Sequence, residues 1–268
     1  MCCWPTWEDI EMKKLHCKPG TLLPLLLLAL ILPCPAYADQ TGGISATPAN
    51  IQMGAQYDGL SLQVNGTVPA GSDVILRFTG TADELHLREK GKVFGLLWMN
   101  VGKVTLKNVP KVCLIDSSRP FDDLGSVAAP FRLDGLLNAI EIDKGTGSGN
   151  IDISHELLLL KKQEGLYSER ALGVALGPIE GSLRTFSANM AIPSGIAPGN
   201  YQVEAIAVKD GAVVGRYAAN VEAALIGFPK WLSNLAFEKS LLYGILATVI
   251  ALLSGLAIGL VFQSKGAH

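Results

Sequence analysis

The sequence predicts a mainly β protein, an immunoglobulin-like β-sandwich with a helical insertion, followed by one C-terminal transmembrane helix. Short runs of alternating apolar and polar residues, separated by turn residues, are typical of half-buried sandwich strands. A run of 22 residues, 241–262, contains no charge. As a helix it would be about 33 Å long, enough to cross a hydrocarbon core of about 30 Å. We therefore expect a folded domain held at a membrane.

The N-terminal segment, residues 1–38, has the features of a secretory signal peptide. A basic stretch with three lysines precedes a short apolar run, and an A-x-A cleavage site ends at Ala38. Acidic residues before Met12 do not fit this pattern and favour Met12 as the natural start. Four of the five cysteines lie in this segment, so the mature chain would keep only Cys113 and form no intramolecular disulfide.

Residues 39–228 are expected to form the exported domain. Its predicted strands lie at 60–65, 74–78, 84–88, 93–98, 104–106, 112–115, 186–192, 201–207 and 213–223. The dipeptide Asp210-Gly211 is typical of a tight hairpin turn. Pro198-Gly199-Asn200-Tyr201, just before a strand, resembles the tyrosine corner of immunoglobulin-like domains.

Between residues 117 and 172 the strand period is lost, which predicts the helical insertion. Residues 121–142 favour short helical pieces, and the glycine-rich residues 145–149 a flexible link. Ser154 is expected to cap a helix in which the leucines at 157–160 pack on the sandwich. Gly165 is a natural stop for that helix.

The segments around the apolar run predict how the chain sits in the membrane. Residues 229–240 form a juxtamembrane segment, in which Trp231 and Phe237 suit an aromatic belt together with Tyr243. Residues 263–268 would be a cytoplasmic tail. The signal peptide then places the sandwich in the periplasm, on a single-pass protein of the bacterial inner (plasma) membrane.

The apolar run carries a ridge of small residues. Ala247, Ala251, Gly255 and Gly259 recur every four residues, so a helix places them along one side. Such a ridge lets another helix approach closely, which predicts contact with a second copy or with a multi-span partner. The alternative is that small residues are simply common in membrane helices.

A charged turn followed by an apolar run, residues 89–100, also stands out. We favour a hairpin whose inner strand places Trp98 in the core. The alternative is a recognition edge on the sandwich formed by Lys92, Trp98, Asn100 and Arg119.

The sequence contains no pattern typical of catalysis or cofactor binding. His86, His155 and His268 lie far apart in different predicted elements, which does not favour a metal site. Cys113 lies in an apolar run and is expected to be a buried small hydrophobe. The net charge of -2 gives no reason to expect nucleic acid as a partner. We expect a non-enzymatic protein without cofactor or metal, whose partners are the lipid bilayer and another membrane helix.

Several motifs, in their order along the chain, resemble the "putative transmembrane protein" family described mainly from alphaproteobacteria. They are residues 88–100, 117–120, 164–167, 192–201 with Asp210-Gly211, and 242–244. The resemblance implies a signal peptide, a β-rich periplasmic domain and one C-terminal membrane helix. It implies no catalytic residues, because the family has no established activity. Members are often encoded near permeases of the sulfite-exporter type, which implies a role beside a transporter.

Three hypotheses about function follow. The first is a non-enzymatic accessory subunit of a membrane partner, such as a sulfite-exporter-type permease. The second is a periplasmic binding or chaperone-like module that the helix merely tethers. The third, an anchored hydrolase, would require His86 or His155 to meet a carboxylate and a nucleophile in one cleft.

Overall fold

The computed structural model describes residues 42–144 and 152–263. The predicted signal peptide, the glycine-rich link at 145–149 and the predicted tail from residue 264 onward lie outside these residues.

Strands dominate the described part of the chain, so the predicted mainly β fold is confirmed. They are β1 (Gly43–Thr47), β2 (Asn50–Met53), β3 (Leu60–Pro69), β4 (Asp73–Gly80), β5 (Ala82–Val93), β6 (Leu97–Pro110), β7 (Cys113–Ser117), β8 (Glu141–Lys144), β9 (Tyr167–Arg170), β10 (Val174–Glu180), β11 (Leu183–Ile192), β12 (Gly199–Lys209) and β13 (Ala212–Leu225).

Helical segments lie between β7 and β9 and after β13. Two short 3-10 segments, Phe121–Leu124 and Ser126–Phe131, precede the helices. The helices are α1 (Leu133–Leu137), α2 (Ile153–Gln163), α3 (Gly227–Glu238) and α4 (Ser240–Gln263).

Two sheets share the main core and form the sandwich. One has the order β1-β3-β11-β10 and the other β2-β13-β12-β4-β7-β9. Buried side chains alternate as predicted along β3 and β11, at Leu62, Val64, Phe186 and Met190, and at Val203 and Ala205 of β12. On β4 the consecutive residues Val74, Ile75 and Leu76 are all buried, as are all five residues of β7, so both faces of the six-stranded sheet are covered there. The rings of Phe78 and Tyr201 stack with their centroids 5.1 Å apart. The Tyr201 hydroxyl donates to the Ala197 carbonyl, as a tyrosine corner requires. The immunoglobulin-like assignment itself stays a prediction.

A third sheet, of order β5-β6-β8, stands apart from the sandwich. We expected one sandwich, but β5 and β6 form a long hairpin with its own small core. That core contains Val104, Leu106, Val109, Ile140 and, from α2, Leu157. Strand alternation shows which face of a strand is buried but not which sheet the strand joins, so the sequence could not separate this hairpin.

The segment at 117–172 is helical only in part. It also supplies β8, which extends the hairpin sheet, and β9, which pairs in parallel with β7 of the sandwich. A strand of four residues is too short to show a clear period.

Helix α2 differs from its prediction at its start and on its buried face. It begins at Ile153, and the Asp152 side chain, not Ser154, accepts the capping bond from the His155 amide. Only Leu157 and Leu158 are buried. The next two leucines are exposed, because one face of a helix cannot hold four consecutive residues. Gly165, at φ 72°, follows the helix end as predicted.

Candidate docking site

The end of the β5–β6 hairpin is built around a three-residue connection. Val93 pairs with Leu97, which leaves residues 94–96 to make the turn. Phe94 and Gly95 both adopt positive φ, at 55° and 74°. Glycine takes this conformation freely, whereas a bulky residue such as phenylalanine rarely does. The turn therefore holds an aromatic side chain in an unusual backbone position.

Five large apolar side chains at this turn face solvent, and we call them the apolar tip. Their exposed fractions are 92% for Phe94, 85% for Leu96, 62% for Leu97, 67% for Trp98 and 52% for Met99. The expectation of an inner strand with a core tryptophan is therefore wrong. The apolar run is not covered here, because the small core of the hairpin lies farther down, around Leu106.

Basic side chains lie along the hairpin next to the apolar tip. Residues 88–103 carry four basic residues and one acidic residue. Lys92 lies across the strand pair from Trp98, and its ammonium is 5.4 Å from the ring centroid. Arg88 lies opposite Lys103, farther from the turn, and like charges opposite one another destabilise a strand pair. The hairpin thus carries a net positive charge at some cost in stability.

The structure brings three of the four predicted recognition residues together. Asn100 pairs with Lys90, so it lies on β6 next to Lys92 and Trp98. Arg119 does not join them. Its Nε atom is 3.3 Å from Asp73 Oδ1, at the start of β4, whereas the hairpin follows the other end of that strand.

The chain leaves the sandwich for the hairpin and for the membrane helix at the same end of the strands. Tyr201 of β12 pairs with Gly80 of β4 on one side and with Val221 of β13 on the other. Because β4 and β13 are both antiparallel to β12, they run in the same direction. Strand β4 leads into the hairpin, and β13 leads into α3 and α4. The hairpin therefore starts at the end of the sandwich from which the chain continues to the membrane helix. It is about 40 Å long, at about 3.4 Å per residue.

Helix α4 fulfils the prediction of a C-terminal membrane span. Residues 240–262 have a mean hydropathy of 2.6, and no part of this window is buried against the described domain. Two of its polar side chains are satisfied within the helix, since the hydroxyls of Thr248 and Ser254 donate to carbonyls one turn back, at 2.8 and 2.7 Å. A Cβ added at Gly255 or Gly259 would meet no atom of the described residues within 4 Å. The ridge of Ala247, Ala251 and these two glycines is thus open to another helix.

The model of one protein family, described as "Putative transmembrane protein (Alph_Pro_TM)", matches residues 43–264. The chain belongs to this family. The match covers the sandwich, the hairpin and the membrane helix together. Among curated proteins, none matches the chain.

A second surface of this Alph_Pro_TM protein is polar and was missed by the sequence reasoning. A shallow depression of about 480 Å³ lies on the outer side of the four-stranded sheet, lined by Gln63, Asn65, Leu172, Gly173, Ala175, Ser187, Ala188 and Asn189. The available signal was the polar residues that alternate with Leu62 and Val64. Such alternation occurs on any solvated strand face and therefore does not indicate a site.

An ion pair lies beside this depression. Arg170 Nε donates to Asp116 Oδ1 at 3.1 Å, and Arg170 Nη2 donates to the Asn189 carbonyl at 2.8 Å. Burial raises the pKa of the Asp116 carboxyl, while the hydrogen bond and charge of Arg170 oppose that rise. A Cβ at Gly173 would meet both side chains within 3 Å, so glycine is needed there.

The remaining reactive groups of the protein lie apart. His86 Nδ1 is 3.2 Å from Thr105 Oγ1 on the exposed side of the hairpin, and His155 is exposed in the first turn of α2. Cys113 is buried, and burial raises the pKa of its thiol to about 12. It is therefore a thiol rather than a thiolate near neutral pH. Within the two described ranges, no group of three or more His, Cys, Asp or Glu side chains could hold a metal ion.

Proposed function

We propose that this protein is a non-enzymatic accessory subunit that docks on a membrane-embedded protein through its apolar tip. The observation that carries the proposal is the set of five exposed, large apolar side chains between residues 94 and 99, on one hairpin turn. Clustered exposed apolar side chains mark interaction sites, because their exposure to water costs free energy.

The position of the hairpin supports a partner in the membrane. The hairpin begins at the edge of the sandwich from which the chain continues to α4, so the partner and the anchor would lie on one side of the domain. We place the sandwich in the periplasm and α4 in the bacterial inner membrane. The predicted signal peptide supports this orientation.

The chemistry of the tip describes the partner surface. It should offer an apolar pocket for Leu97 and Trp98, since aromatic side chains in desolvated pockets dominate binding energy. Acidic groups at its rim would complement the basic residues beside the tip. The family resemblance suggests a permease of the sulfite-exporter type. The open ridge of α4 supports a second contact, inside the bilayer.

Site-specific photo-crosslinking in the native membrane tests the proposal. A photoreactive phenylalanine analogue replaces Leu97 in one variant and Ile179 in another, because Ile179 is equally exposed but lies on β10 of the sandwich. We expect a light-dependent adduct with a multi-span membrane protein from position 97 and none from position 179. Adducts with lipid alone at position 97, or identical adducts from both positions, would contradict docking on a protein.

The polar depression favours a second candidate, a membrane-tethered binding module. Its lining of amide and hydroxyl groups suits a small polar solute. A solute screen that follows the melting temperature tests this function. A solute that stabilises the wild-type chain but not the Asn189→Leu variant would favour the binding module over the accessory subunit. The Ile179→Ser variant, altered outside this lining, is the control.

A further inference from the structure

Helix α3, between the sandwich and the membrane span, has an apolar stripe that is mostly exposed among the described residues, with only Leu235 half-buried. Phe228, Trp231, Leu232 and Leu235 follow the spacing of one helix face. The first three are exposed, and the rings of Phe228 and Trp231 stack with centroids 5.7 Å apart. Within the described residues, no α3 side chain is fully buried.

The opposite side of α3 is mostly polar. Lys230, Ser233 and Asn234 lie there, so the helix separates its apolar and polar side chains. Phe237 is the exception, since it lies about half a turn away from Phe228. It belongs to the last turn of α3, directly before the membrane span, where an aromatic ring suits the headgroup region.

Helix α3 is joined almost directly to the membrane span. Lys239 alone separates α3 from α4, and its backbone, at φ -128° and ψ 49°, breaks the helical path. The Tyr243 amide already donates to the Lys239 carbonyl at 3.0 Å. The last turn of α3 is therefore within one residue of the helix that enters the bilayer, and a change of direction lies between the two.

We propose that α3 lies flat in the interface of the leaflet that α4 enters at Ser240, with its apolar stripe among the upper acyl chains. Interfacial helices combine an apolar face with aromatic residues and a polar face with lysine, and α3 has both. Lipid is the occupant that we expect for the stripe, because α4 holds α3 next to the bilayer. A second copy or the docking partner would have to displace that lipid.

This placement does not depend on the proposed accessory function, since it requires only that α4 spans the membrane. It gives α3 a role in orientation. A helix held in the interface fixes the rotation of the sandwich edge relative to the bilayer, whereas a single spanning helix would leave that rotation free.

Tryptophan fluorescence of the full chain in lipid vesicles tests the proposal. Replacing Trp4, Trp7 and Trp98 with phenylalanine leaves Trp231 as the reporter. Vesicles of phosphatidylethanolamine and phosphatidylglycerol carry bromine either near the headgroup end or near the methyl end of the acyl chains. We expect blue-shifted emission from Trp231, strong quenching by shallow bromine, weaker quenching by deep bromine, and little quenching by aqueous acrylamide.

Two variants sharpen the result. Phe228→Ser with Leu232→Ser should make Trp231 clearly more accessible to acrylamide, whereas Lys230→Ser, on the polar face, should leave it protected. Trp231 quenched by acrylamide and not by bromolipid would overturn the proposal. A second result would also overturn it: Trp231 is protected from acrylamide and not quenched by bromolipid, and its protection increases with the ratio of protein to lipid. A second copy of the chain would then cover the stripe.

Discussion

Two leucines of β6 should respond in opposite ways to the same substitution. Leu97 belongs to the apolar tip and is 62% exposed, whereas Leu106, nine residues farther along the strand, is completely buried. We expect Leu97→Ala to weaken partner binding with little effect on folding. Leu106→Ala should destabilise the domain.

The expected magnitudes follow from burial. Truncating a fully buried leucine costs about 2–5 kcal/mol, and Leu106 meets that condition. Leucine to alanine removes three carbons, each worth about 0.8 kcal/mol when fully buried. Since most of Leu97 is exposed before docking, its truncation should cost folding less than about 1 kcal/mol. Docking that covers the exposed part would lose about 1.5 kcal/mol, or about tenfold in affinity.

Two measurements on the full chain in mild detergent separate these effects. Urea unfolding followed by circular dichroism gives the free energy of unfolding for each variant. Co-purification from native membranes, with mass spectrometry, gives partner recovery relative to the wild type. A loss of unfolding free energy in Leu97→Ala equal to that in Leu106→Ala would show that the tip is packed. Unchanged recovery with Leu97→Ala would show that the tip does not dock.

Three further predictions concern the membrane ridge, the ion pair of Arg170 with buried Asp116, and the cysteine. Gly255→Leu with Gly259→Leu should abolish partner co-purification, because leucine keeps a second helix from approaching closely. Arg170→Gln should cost about 1–3 kcal/mol of stability, since it leaves buried Asp116 without its cation. That loss should grow as the pH rises through the raised pKa of Asp116, because the folded variant must then bury a carboxylate without the cation that stabilises it in the wild type. Cys113 should resist alkylation in the folded domain and react only on unfolding, as a mass-resolved alkylation time course would show.

Each of these predictions has a control. Leu253→Phe adds bulk on the side of α4 opposite the ridge and should leave partner recovery intact. Survival of the complex in the double-leucine variant would contradict the ridge contact. For the ion pair, urea unfolding of wild type and variant at several pH values is decisive, and a loss independent of pH would contradict the mechanism. Alkylation of Cys113 at the rate of a free thiol in native buffer would show that its burial is transient.

The sequence was sufficient for the parts of the fold that depend on local periodicity. Phe186, Met190 and Val203 are buried where strand alternation placed them. The Asp210-Gly211 turn has positive φ at both residues, as its composition predicted. The membrane helix was equally clear, since length and lack of charge determine it without reference to the rest of the chain.

The apolar tip could not be predicted in this way. An apolar run containing Trp98 has the same pattern whether another layer covers it or not, because burial depends on which sheet packs above it. Arg119 illustrates a related difficulty. It follows the strand run closely in sequence, but its ion pair with Asp73 lies at the far end of β4 from the hairpin. Proximity along a chain of antiparallel strands does not indicate proximity in space.

The adjacency of β4, β12 and β13 has a mechanical consequence. Hydrogen bonds in an antiparallel ladder lie across the strands, so a pull along β13 from the membrane anchor loads the whole β12–β13 ladder in shear rather than one bond at a time. The β12–β4 ladder then passes the same load to the strand that leads into the hairpin. These two ladders thus form a continuous hydrogen-bonded path across the sandwich, from the strand that leads to the membrane helix to the strand that leads into the hairpin.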